Sequence, residues 1–345
     1  MMYLLFIVGL VLLIYGGDWF VDGATGIARR FHLPELLIGA TVVSIGTTLP
    51  EVMVSTTSAI QGHSQIAYGN AIGSIICNTA LIAAISAAVR PSAVNKKTLR
   101  TPVAFFFIAA AFYVAVAYTS GYFSRPIGVI LLIIFVLYMI ANVMGMKNEP
   151  GGSVAASTTN NGNPDQLHDA KSDDPENGKA AAAESEDGPV WKMILLLVVG
   201  AALIAIGADL LVDNGTLIAQ ALGVPESVIA LTFVALGTSL PELVTAITSL
   251  IKGHSSLSLG NVIGANVFNL VLVCGLSITV SPFSIPENST LFGINASLVV
   301  DLPVMLLVMI LLTVIPLVKG KTSRAQGISL LAIYAAFCAY QFVLG

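Results

Sequence analysis

The sequence predicts an all-α membrane protein of ten transmembrane helices, arranged as two inverted-topology five-helix repeats. Three observations carry the prediction. The 345 residues are 56% hydrophobic and only 10% charged, where soluble domains carry about 25% charged residues, and the mean hydropathy is +0.90. Apolar runs of spanning length recur along the chain in two sets of five. A polar hexapeptide inside a long apolar run occurs once in each set, as Gly46-Thr47-Thr48-Leu49-Pro50-Glu51 and Gly237-Thr238-Ser239-Leu240-Pro241-Glu242.

The first set of runs falls near 2–21, 36–60, 66–89, 101–119 and 126–146. The second falls near 191–211, 226–251, 257–280, 297–318 and 326–344. Each is about the 20 residues that a helix needs to cross the hydrocarbon core. The stretch from Met2 to Tyr15 lacks a basic n-region and a small-residue cleavage site, so it reads as a retained span rather than a signal peptide. Cys77, Cys274 and Cys338 all lie in apolar runs, which predicts free thiols and no disulfide framework.

Between the sets, 147–190 changes character. It holds nine acidic side chains and three lysines among Asn, Gly and Ala, with almost no large apolar residue. Such a segment cannot bury enough surface to fold alone, so it reads as a disordered acidic cytoplasmic linker. Asp173-Asp174-x-Glu176 lacks the spacing of a calcium loop. Domains therefore run 1–146 (first repeat, motif region 36–89), 147–190 (linker) and 191–345 (second repeat, motif region 226–280). The net charge of −4 reflects the linker, and no basic tract suits a nucleic acid. With the N-terminus outside, every Lys and Arg except Arg125 falls on the inner side, which is the positive-inside pattern. Both termini are then outside.

The halves repeat without a gap. Glu51 and Glu242 are 242 − 51 = 191 apart, and the same offset aligns Asp18 with Asp209, Asp22 with Asp213, Pro34 with Pro225, His63 with His254, Asn70 with Asn261, Gly73 with Gly264, and Asn78 with Asn269. Five spans is an odd number, so the second half enters the membrane from the opposite side, as in many secondary transporters. An ionisable residue at membrane depth points to a functional site. A proline there removes a backbone donor and is expected to break the helix, freeing carbonyls around Thr47 and Thr238. Carboxylate and carbonyl oxygens together suit a hard cation such as calcium or sodium. Converging Glu51 and Glu242 would repel unless a divalent cation, protons or sodium ions offset their charge.

Around this pair, Asn70, Asn78, Asn261, Asn269 and Ser74 are candidates for direct ligation or for a supporting shell. Gly69/Gly73 and Gly260/Gly264 are expected to let helices approach closely. Thr47 and Thr238 are expected ligands, and Thr48 and Ser239 stand beside them; Thr41 and Thr232 are expected to bond their own backbone. His63 and His254 read as loop residues. Asp18, Asp22, Asp209 and Asp213 read as anchors at the ends of the first and sixth spans.

The paired Gly-Thr-(Thr/Ser)-Leu-Pro-Glu and Gly-Asn-x-Ile-Gly segments resemble the alpha-repeats of the calcium/cation antiporter superfamily, and most closely those of prokaryotic sodium/calcium exchangers. The resemblance covers nearly the whole chain apart from the linker. It implies alternating access in the cell (inner) membrane, with calcium and sodium as the transported ions, the bilayer as surroundings, no cofactor and no obligate protein partner. It also implies a calcium site of Glu51, Glu242 and the Thr47 and Thr238 carbonyls. Sodium sites would use the Ser44 and Ala235 carbonyls, the Thr47 and Thr238 hydroxyls, and Ser74. Ala265 departs from the serine often found in such exchangers, which puts one sodium site in doubt. Asn269 departs from the aspartate of the potassium-dependent branch. A proton-coupled antiporter of the same fold and an intramembrane hydrolase using the two carboxylates as an acid pair are the competing readings.

Overall fold

The computed structural model describes residues 1–148, 189–221, 235–286, 290–291 and 293–344. Nearly all of the linker lies outside the described residues, as do Pro225, Thr232 and the start of the run expected at 226–251. The described residues form helices α1 (Met2–Arg30), α2 (Glu35–Ile60), α3 (Ser64–Val89), α4 (Lys96–Thr119), α5 (Arg125–Asn148), α6 (Val190–Ala221), α7 (Leu240–Ile251), α8 (Ser255–Val280), α9 (Ser297–Lys319) and α10 (Arg324–Leu344). A single turn, Ala235–Thr238, precedes α7. Eight of the helices, all but α7 and α10, are long and apolar enough to cross a membrane. The chain is a mostly helical, multi-pass membrane protein. Two pairs of two-residue strands add to the all-α plan, β1 (Tyr122–Phe123) with β2 (Phe283–Ser284) and β3 (Thr290–Leu291) with β4 (Ile294–Asn295).

Local geometry recurs at the 191-residue offset. The turns into α3 and α8 place Gly62 and Gly253 at φ +82° and +87°, a region that glycine enters without a Cβ clash. The His63 and His254 amides then donate to Ser58 O at 2.8 Å and Ser249 O at 2.7 Å. A π-helical turn begins at Asn78 in α3 and again at Asn269 in α8. Such turns insert a residue into the ladder and re-aim side chains, often at functional sites.

Glycine sets two close crossings. Along α1 and α6, a Cβ at Gly9 would lie 2.9 Å from Gly207 O, at Gly16 2.9 Å from Ile204 N, and at Gly23 2.6 Å from Leu197 N. The pairing runs in opposite senses, so the helices are antiparallel with their backbones in near contact. Between α2 and α8, an added methyl at Gly260 would overlap the Leu36 carbonyl and one at Gly264 would overlap Ala40. Gly69 and Gly73 meet nothing within 4 Å. The residues that the repeat would set against them, 222–234, lie outside the described residues.

The loops sort to two ends. Val94 N donates to Gly320 O at 2.8 Å, Lys96 Nζ to Val318 O at 2.6 Å and Arg90 Nη1 to Leu250 O at 3.2 Å. This gathers the basic loops at one end, while β1 and β2 join the loops at the other end of α4 and α8. Two expectations need correction. The first and sixth spans run to Arg30 and Ala221 rather than to about 21 and 211, so Asp18, Asp22, Asp209 and Asp213 lie within α1 and α6 and not at their ends. The helix also continues unbroken through Pro50, because only one donor is lost there and the flanking turns hold. In the second copy the break exists: Ser239 interrupts the helix one residue before Leu240.

Candidate cation site

Glu51 on α2 and Glu242 on α7 are both fully buried, at 0% exposure, and Thr48, one turn before Glu51 on α2, reaches Glu242. Among the described residues no basic side chain pairs with either. Glu242 Oε1 lies 3.5 Å from Thr48 Oγ1, which donates to it. Among the described residues, both oxygens of Glu51 and Oε2 of Glu242 have no hydrogen-bond partner. Two buried carboxylates with three unsatisfied oxygens are costly to desolvate unless positive charge meets them, and anionic oxygens with open lone pairs are what a hard cation binds.

The carboxylates are enclosed by a cross-repeat exchange of hydrogen bonds. Thr47 Oγ1 donates to Asn261 Oδ1 at 3.2 Å, and Thr238 Oγ1 donates to Asn70 Oδ1 at 2.9 Å. The two bonds are the same bond with the repeats interchanged. Each motif threonine therefore holds the asparagine of the opposite repeat, which fixes α2 against α8 and the Ala235–Thr238 turn against α3. Ser44 Oγ lies 2.8 Å from Gly39 O and 3.0 Å from Asn261 O. Ser239 Oγ donates to Ser74 Oγ at 3.5 Å. Asn70 Nδ2 donates to Ser55 Oγ at 2.8 Å and reaches Glu51 O at 3.4 Å. Asn78 and Asn269 are fully buried, and neither amide finds a partner among the described residues.

The structure thus brings together Glu51, Glu242, Thr47, Thr48, Thr238, Ser239, Ser44 and Ser74, with Asn78 and Asn269 at the π turns of α3 and α8. Ala235 opens the turn before α7. Thr41 bonds its own backbone at Leu37 O, 2.7 Å away, as expected; its mirror Thr232 lies outside the described residues. His254 is more than a loop residue, since its Nδ1 lies 2.7 Å from Glu35 Oε1 and ties the turn before α8 to the start of α2. Asp18 and Asp22 pair with Lys252 at 3.3 and 2.8 Å, joining α1 to the α7–α8 turn rather than anchoring a helix end.

Sequence reasoning missed two features. Ser55 lies one turn after Glu51 on the same helix face, and that i, i+4 spacing was the available signal. Asn266 Nδ2 donates to Thr79 Oγ1 at 2.7 Å, and Asn266 Oδ1 is buried without a partner among the described residues. Neither residue has a polar counterpart 191 positions away, where Ile75 and Leu270 stand, so a search by repeat passed over both.

Comparison with known proteins places this geometry. Residues 1–144 and 192–343 match the family described as sodium/calcium exchanger protein. The chain is 32% identical over 358 residues to "Sodium/calcium exchanger MaX1" of Methanosarcina acetivorans, covering 99% of each chain. It is 33% identical over 339 residues to "Putative antiporter CaxA" of Alkalimonas amylolytica, covering 98% of this chain and 97% of that one. Its fold superposes on a structure of the sodium-calcium exchanger NCX_Mj soaked with sodium and calcium, with a TM-score of 0.74 and 31% identity over 98% of this chain and 97% of that chain. With a matching family model over both halves and relatives of this identity along nearly the full length, the chain belongs to the sodium/calcium exchanger family, within the calcium/cation antiporter superfamily.

Proposed function

We propose that this antiporter exchanges calcium for sodium by alternating access, with Glu51 and Glu242 as the shared anionic pair. The observation that carries the reading is the buried carboxylate pair with open lone pairs, framed by reciprocal Thr–Asn bonds between the repeats. Calcium takes the two carboxylates and the Thr47 and Thr238 carbonyls. Sodium takes flanking positions made by the Ser44 and Ala235 carbonyls, the Thr47 and Thr238 hydroxyls and Ser74. Asn78, Asn269, Thr48 and Ser239 complete or orient the set. The ions exclude one another because they compete for the same negative charge, and this competition couples their movements. No cofactor is required, since the ions are cargo.

Ten spans in two inverted repeats, 1–146 and 191–345, give the pseudo-symmetry that alternating access uses. The recurrence of turns and π-helical positions at the 191-residue offset supports it. Both termini are outside, and the linker of 147–190 is a cytoplasmic tether; the gathering of basic loops at one end supports this orientation. The relatives described as exchangers and antiporters count against an intramembrane hydrolase. The missing hydroxyl at Ala265 favours one second reading, coupling to protons in place of sodium. Calcium uptake into proteoliposomes separates the two. An outward-directed sodium gradient is expected to drive uptake and a proton gradient alone is not. Uptake driven only by protons would replace the sodium reading.

A further inference from the structure

The chain contains two tryptophans, and both line one groove. It lies on the outer face of the α1–α6 pair, has a volume of about 300 Å³, and is bounded by Trp19, Trp191, Lys192, Leu195, Leu196 and Val199. Trp19 and Trp191 are 41% and 65% exposed. We infer that this groove seats an anionic phospholipid, its headgroup on Lys192 and one acyl chain along α6.

The antiparallel glycine contact gives the groove its axis. Gly26 of α1 stands beside Met193 and Gly23 beside Leu197, so Lys192 sits level with the last turns of α1, which carry Arg29 and Arg30. Arg29, Arg30 and Lys192 are thus the described cations at this corner, and the positive pole of the α6 dipole adds to them. From Trp191 to Val199 the groove descends roughly 12 Å along α6 at ~1.5 Å per residue. Every lining residue below Lys192 is apolar or the indole of Trp19. Tryptophan favours the headgroup boundary, where its ring meets apolar chains and its N–H meets polar groups. Among the described residues no carboxylate lies within salt-bridge distance of Lys192, and a lysine at this position can meet a phosphate while its stem covers apolar surface.

The two tryptophans also report the test. The full chain is reconstituted into phosphatidylcholine bilayers containing graded amounts of either brominated phosphatidylglycerol or brominated phosphatidylcholine, and tryptophan fluorescence is measured. The anionic lipid is expected to quench at about five-fold lower mole fraction, the scale of one basic residue at a membrane surface. Lys192→Ala, a change at an exposed position, is expected to bring the two lipids to parity, while Arg30→Ala retains the preference. Equal quenching by both lipids in the unaltered protein would overturn the assignment. So would an absence of quenching by either, or loss of the preference in Arg30→Ala to the same extent as in Lys192→Ala.

Discussion

The two halves of the proposed cation site share a plan but differ in their hydroxyls. The first repeat supplies Ser44, Ser55 and Ser74; at the same places the second has Ala235, Ala246 and Ala265. The consequences can be followed bond by bond. Asn70 Nδ2 is satisfied by Ser55, whereas Asn261 Nδ2 is buried without a partner among the described residues, where Ala246 stands in the place of Ser55 and offers none. Ser239 reaches Ser74, whereas its counterpart Thr48 would face Ala265 and is bonded instead to the Glu242 carboxylate. The helix is continuous through Pro50 but broken at Ser239. The comparison teaches that duplicated carboxylates, threonines and asparagines keep the site's charge and frame, while the hydroxyls around them have diverged and make the two flanks chemically unequal.

The largest effect falls where the halves agree. Glu51→Gln and Glu242→Gln should each abolish calcium exchange in reconstituted vesicles while leaving expression largely intact, since calcium takes about 6–8 oxygens including carboxylates and one lost charge leaves the ion uncompensated. Wild-type flux in either variant would break the paired-carboxylate site. Next come the unequal flanks. Ser74→Ala should lower apparent sodium affinity and Ala265→Ser should raise it or its cooperativity, by an amount on the order of a hydrogen bond to a charged group, ~1.5–3 kcal/mol. Calcium affinity without sodium should move less in both. Flux measured against sodium concentration reads this directly, and superimposable sodium curves would remove the hydroxyls from the ligand set.

A smaller effect separates Asn70 from Asn261. Ser55→Ala should destabilise the protein by about 1 kcal/mol, because the half-buried Asn70 amide loses its best acceptor. Ala246→Ser should give Asn261 the missing acceptor and raise the unfolding temperature. Thermal unfolding in one detergent orders the three proteins, and the opposite order would show that the asymmetry at this turn is not one of hydrogen bonding. The smallest effect is expected between the halves. Removing roughly 152–186 should leave calcium flux unchanged, as expected of a tether without an apolar face; complete loss in correctly inserted protein would make the segment part of the machinery.

Much of this architecture is legible in the sequence, because spanning helices need long apolar runs and a gap-free repeat keeps its spacing. Most of the helices in the described residues match the apolar runs to within a few residues. The ends were harder to read. Asp18 and Asp22 looked like the close of a span, yet α1 continues to Arg30 with Val21, Ala24 and Ala28 buried, while both carboxylates pair with Lys252 from a distant turn. The residues at the centre were legible for a similar reason, since Glu51 and Glu242 are out of place in hydrocarbon unless they have work there. Their pairing was not. Thr47 and Asn261 belong to different repeats and lie 214 positions apart, and only the packing of α2 on α8 shows that each threonine serves the other half. Thr79 and Asn266 escaped notice because their polarity has no echo in the repeat.

Equilibrium binding of radiolabelled calcium to the purified protein, titrated with sodium at fixed pH, tests the central claim most directly. If Glu51 and Glu242 are shared by both ions, sodium should displace calcium completely, and Glu51→Gln and Glu242→Gln should each lose calcium binding. Calcium that stays bound at saturating sodium, or that binds the glutamine variants as tightly as the unaltered protein, would contradict the account.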